Sequence, residues 1–181
     1  MALMRQMEKN RIDTADSAAI SSIQAHLKML DQEIESIRDQ IRRRIDDNPN
    51  LRQRRDLLMS IPGIGEATAA LLLVLFDDHH NFKTAKQAAA FAGLVPNPHQ
   101  SGQSGKSRLS KVGDALIRKL LYMPALAAWM HNPLIRAFCE RLKKIGKNGK
   151  SIACAAMRKL IHISFGVLKS GKPFDPNFGL V

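Results

Sequence analysis

The chain has 181 residues, 28 Lys+Arg against 16 Asp+Glu, a formal charge of +12 and 45% hydrophobic residues, which suits one cored domain, or a domain with an appendage, and a polyanionic partner such as nucleic acid. No apolar run reaches the roughly eighteen residues of a membrane span, and MALMRQMEKNRID lacks the apolar core of a secretory signal, so a cytoplasmic location with no membrane partner is expected. The two cysteines, Cys139 and Cys154, have no CxxC spacing and no paired His ligands, which reads as free thiols in a reducing compartment.

From Ile20 onward the apolar residues fall at Ile20, Ile23, Leu27, Leu30, Ile34, Ile37 and Ile41. The spacing alternates three and four, with polar residues between, as in a coiled-coil seam. Residues 1–48 are therefore read as a helical coiled-coil segment. The seam closes either on another copy or back on this chain. Self-association into a dimer is the expectation, because few other long amphipathic partners are visible. Asp47, Asn48, Pro49 and Asn50 end the helix. Residues 49–181 are read as a second domain.

That domain opens with a short Arg-rich helix, Leu51–Met59. In SIPGIGEATAALLLVL the chain stops at Pro62–Gly63, turns through Gly65 and restarts as a helix at Glu66. IPGIGEATA fits a helix-hairpin-helix over about 51–75. Glycines there bring backbone amides to the surface, and the second helix offers its positive end. Together they hold a phosphate without reading a base. Gly63, Ile64 and Gly65 are the expected contact positions, although an ordinary αα turn uses glycine in the same way.

Next comes the loop DDHHNF, whose His79–His80 pair has no further ligand nearby and reads as loop rather than metal site. Thr84 caps a helix ending at Gly93. LVPNPHQ is extended, and the polar stretch after it reads as a loop. Asp114 caps a helix to Met130, kinked at Pro124. Asn132–Pro133 opens a helix to Lys144, closed by Gly146. Ser151 starts the last long helix, to about Lys169. Trp129 and Tyr122 fall on a helix face and read as core. No strand is evident, so the fold class is all-α: a long coiled-coil helix, then a helical domain. Bases cluster at Lys106, Arg108, Lys111, Arg118 and Lys119, along RLKKIGKNGK (141–150), and at Arg158–Lys159. Such clusters line a backbone channel or form a solvated face.

IPGIGEATAALLL, AAAFAGLVPNPHQSGQSGKSRLSKVGD, LIRKLLYMPALAA and AAMRKLIHISFGVLKSGKPFDP together resemble the C-terminal half of one transposase family. It is the insertion-sequence one-ten group, DEDD transposases described as recombinases guided by a structured bridge RNA. The heptad segment resembles the coiled coil preceding that half. The resemblance implies a mobile-element enzyme that cleaves and rejoins DNA through a covalent serine–DNA intermediate, with DNA and a guide RNA as partners. The implied nucleophile is Ser101, in His99-Gln100-Ser101-Gly102. Gly102, Lys106, Arg108, Ser110, Lys111, Arg118, Lys119, Arg158 and Lys159 are expected to hold the strand. From spacing alone Ser101, Ser104, Ser107 and Ser110 are equal candidates, and His99 is the nearest base. In the family a RuvC-like domain holds magnesium through four acidic residues. That pattern is absent here, so no metal site or cofactor is expected in this chain, and it is expected to be inactive alone. The loop after Ser101 is also shorter than in the family. Other classes stay open: a non-catalytic, dimeric helix-hairpin-helix binding module, or an assembly protein built on its heptads.

Overall fold

The computed structural model describes residues 1–77, 82–101, 104–110 and 112–177, with the backbone alone described over 97–101 and 104–109. The chain divides into two compact units, Met1–Pro49 and Asn50–Val181.

In the first unit, α1 (Ala2–Ile12) and α2 (Ser17–Asp46) form a helical hairpin. They run antiparallel, because Arg5 pairs with Asp31 and Glu8 reaches His26 Nδ1 at 3.3 Å. Ile23 and Leu30 of the seam are 5% and 2% exposed. Ile20, Leu27 and Ile34 are half-buried, whereas Ile37 and Ile41 are exposed. The N-terminal half of the seam thus packs on this chain's own α1. The sequence gives no warning of that helix. It has no buried residue, so no apolar face marks it out, and Leu3, Met4 and Met7 stay in solvent.

In the second unit the elements are α3 (Pro49–Met59, beginning at the boundary), α4 (Glu66–Leu75), α5 (Ala85–Phe91), β1 (Pro96–Ser101), β2 (Ser104–Leu109), α6 (Ala115–His131), α7 (Pro133–Lys144) and α8 (Gly149–Ser170). The class is all-α, with one correction: the stretch expected to be a loop is a two-stranded antiparallel ribbon. Pro, Gly and Ser are poor strand formers, which hid it.

α8 is the hub, packing against α5, α6 and α7. Ile152, Ala153, Ala156, Met157, Leu160 and Ile161 form its buried face, the i, i+4, i+8 stripe of a core helix. By length and composition α8 is apolar enough to cross a membrane; here that apolar face is spent on its neighbours. Ser164, fully buried, donates its hydroxyl to the Leu160 carbonyl at 2.9 Å. Fully buried alanines at 125, 128 and 156 let the helices approach closely.

Side chains set the helix starts. Thr84 and Gln87 form a reciprocal capping box. Asp114 accepts from the Leu116 and Ile117 amides. Asn132, fully buried, accepts from Leu134 and Ile135, with Pro133 in the first turn. Asn148 accepts from the Ser151 amide at 2.8 Å. The last helix therefore starts before Ser151, which is capped rather than capping. Pro124 lies inside α6, which continues to His131. Tyr122 is 43% exposed, not core, because Leu121, Ala125 and Ala128 occupy the inward face. Trp129 is half-buried.

Candidate nucleic-acid interface

The Pro62 turn divides its residues between packing and surface. Ile61 and Ile64 are buried. Gly63 has φ +101°, and a Cβ there would stand 2.5 Å from the Ala128 nitrogen and 2.6 Å from its Cα. No other residue fits that contact with α6. Gly63 and Ile64, read above as phosphate positions, thus also have a packing role, Gly63 by its close approach to α6 and Ile64 by its burial. Gly65 differs: its φ is −97°, it caps α4 with no side chain, and nothing lies within 4 Å of where a Cβ would be. The exposed amide end of α4 begins there.

The ribbon grows from the end of α5. The Ser110 amide donates to the Val95 carbonyl at 2.8 Å, and the register runs from Pro96 opposite Leu109 to Ser101 opposite Ser104. His99 faces Lys106 across the ribbon, and Asn97 faces Arg108. Ser101 is the last residue of β1, at the far end from the root. Gly102 and Lys111, like His79 and His80, lie outside the described residues. At the root, Gly113 has φ +131°, and a Cβ on it would meet the Phe91 carbonyl at 2.6 Å. Arg118 Nη1 donates to the Ala92 and Gly113 carbonyls, both at 3.1 Å. That guanidinium, expected on a phosphate, clamps the crossing of the two chain segments. Lys119 is exposed.

Beside the root lies a groove of about 670 Å³ between α7 and α8, reaching Leu94 and Pro96. Bases from the α7–α8 connection and from α8 line it together: Lys147 just before α8, then Lys150, Arg158 and Lys159 along that helix. Leu94, Phe138, Leu142 and Ala155 supply apolar lining. Lys159 Nζ stands 6.0 Å from the centroid of the Phe138 ring, a cation–π distance. No carboxylate lines the groove among the described residues. His162 also lines it, and its Nε2 is buried with no hydrogen-bond partner among the described residues. Burial, then the charges of Arg158, Lys159 and Lys86, hold that imidazole below its ordinary pKa. The clusters were visible in the sequence; Phe138, Leu142 and His162 were missed. Their one signal is spacing, since Phe138 and Leu142 are four apart on α7, and Ala155, Arg158, Lys159 and His162 share one side of α8.

Among the described residues no three His, Cys, Asp or Glu side chains come together in a way that could hold a metal ion. The described residues therefore do not fit a magnesium centre.

Residues 55–140 match the family described as the transposase IS116/IS110/IS902 family. The pilin gene-inverting protein of Moraxella lacunata is 40% identical over 139 residues, 75% of this chain and 43% of its own length. The transposase for insertion sequence element IS1328 of Yersinia enterocolitica is 29% identical over 172 residues, 86% of this chain and 47% of its own. An IS110 insertion-element protein of Streptomyces coelicolor is 30% identical over 120 residues, 66% of this chain and 30% of its own. Residues 55–140 are thus similar to an IS110/IS116-type transposase domain, and the chain spans less than half the length of these relatives.

Proposed function

We propose that this chain is the DNA-holding, serine-bearing part of a transposase or recombinase. It works with a RuvC-like domain that supplies magnesium, and with a structured guide RNA. One observation carries the reading: four bases, Lys147, Lys150, Arg158 and Lys159, line a groove at the root of the ribbon that ends in Ser101. The names of the relatives, transposases and a gene-inverting protein, support chemistry on DNA. Their longer chains support a second domain.

The chemistry asked of Ser101 is transesterification. Its Oγ attacks a backbone phosphorus. An Oγ–P bond forms as one phosphorus–sugar oxygen bond breaks, the serine proton is lost, and the leaving sugar oxygen gains one. One phosphate ester is exchanged for another, so a hydroxyl on a second strand can reverse the step and rejoin the DNA. A serine hydroxyl needs a base or metal to activate it. His99, two residues away, is the nearest base in sequence. Lys106 and Arg108 lie on the same arm and supply positive charge for the strand. The exposed part of the α2 seam brings two copies together.

Trapping tests this. The chain is joined to a RuvC-like domain of the family and given guide RNA, magnesium and labelled DNA. A denaturation-resistant protein–DNA adduct should form with Ser101 and be absent in Ser101→Ala. Tight binding with no adduct in either form would instead make this a non-catalytic, backbone-holding module.

A further inference from the structure

We propose that the α7–α8 groove takes an unpaired nucleic-acid strand, with a base against its apolar lining and the phosphates on its basic rim. This rests on the nucleic-acid reading above and names the form of nucleic acid that the site accepts.

Three features select an unpaired strand. The volume, about 670 Å³, suits one or two nucleotides rather than a double helix. Leu94, Phe138 and Leu142 are apolar contacts that a duplex, with its bases stacked inside, cannot use. A splayed base has a free face to lay on them. Lys147, Lys150, Arg158 and Lys159 form the rim with no opposing carboxylate among the described residues. A strand can therefore run along it with its charge neutralised. The buried His162 Nε2, without a hydrogen-bond partner among the described residues, adds a polar group suited to a base edge. A site for backbone alone would need the cations without the apolar lining. The amides at the start of α8, where Asn148 and Ser151 line the groove, further favour phosphate at the rim.

The test measures fluorescence anisotropy of the whole chain with short labelled strands. The probes are oligodeoxythymidine, oligouridine, an abasic strand of equal length and a duplex. Strands with bases should bind roughly 5- to 150-fold tighter than the abasic strand, the range that stacking one base supports. Ala155→Leu, which fills the groove and keeps every cation, should erase that preference and leave duplex binding unchanged. Phe138→Leu, at a half-buried position, should reduce it and serves if Ala155→Leu fails to melt like the parent. A gain on the thymidine or the uridine strand alone supports the groove and assigns the sugar. No preference for bases, or one indifferent to both substitutions, overturns the groove and leaves the proposed function standing. No binding to any probe overturns both.

Discussion

Gly63→Ala probes whether the glycine of the Pro62 turn is structural. At φ +101° an alanine carries strain of about 1–3 kcal/mol. Its methyl would sit 2.5–2.6 Å from the Ala128 nitrogen, Cα and Cβ, which belong to the interior of α6 and cannot swing away. Overpacking of this kind costs about 1–3 kcal/mol more. Together they remove roughly 2–6 kcal/mol, a large share of a domain's stability. For a unit of this size that lowers the melting temperature by on the order of 10 °C. The control is Gly65→Ala, in open space at φ −97°, which should cost under about 1 kcal/mol. Thermal unfolding by circular dichroism reads both. A Gly63→Ala protein melting with the parent would refute the packing role.

Arg118→Ala should lose about 1–2 kcal/mol, because it strips charged donors from two backbone carbonyls at the ribbon root; Lys119→Ala should stay within about 0.5 kcal/mol, and urea midpoints compare them. His162 makes stability depend on pH. Its folded pKa is lowered, by burial first and then by Arg158, Lys159 and Lys86, so below about pH 6.5 the unfolded chain binds the proton more readily. Stability is full above that value and falls as pH drops through the folded pKa; His162→Leu should flatten that slope in urea titrations at pH 7 and below, and an unchanged slope would assign it to other groups. Cys154 is half-buried and lines the groove, whereas Cys139 is buried with its thiol pushed up to about 11. Maleimide should therefore label Cys154 first, and bound oligonucleotide should slow that labelling; labelling unaffected by a saturating strand would place the strand elsewhere.

Much of the helical plan is written locally. Thr84, Asp114 and the Asn132–Pro133 pair announce helix starts through the side chains that later accept the amide bonds. The misses have physical causes. Asn148 lies among lysines and glycines, and its capping role shows only in three dimensions. α1 has no apolar stripe to read. The ribbon is held by pairing across a turn, not by strand-forming residues. For the site, sequence shows which residues are basic but not which have partners. Arg118 and Lys119 are adjacent in sequence, yet Arg118 bonds two carbonyls and Lys119 faces solvent. The groove needed Leu94, α7 and α8 brought together, a meeting that no single window contains.

The hairpin of α1 on α2 has a consequence for assembly. With Ile23 and Leu30 already buried, Ile34, Ile37 and Ile41 leave little more than one heptad for a second copy to grip. A seam that short pairs by mass action, poorly between freely diffusing chains. Two chains held on one nucleic acid meet at effective concentrations that reach the millimolar range. Under the proposed function, pairing through α2 would then report that two copies occupy the same target, rather than how much of the protein is present.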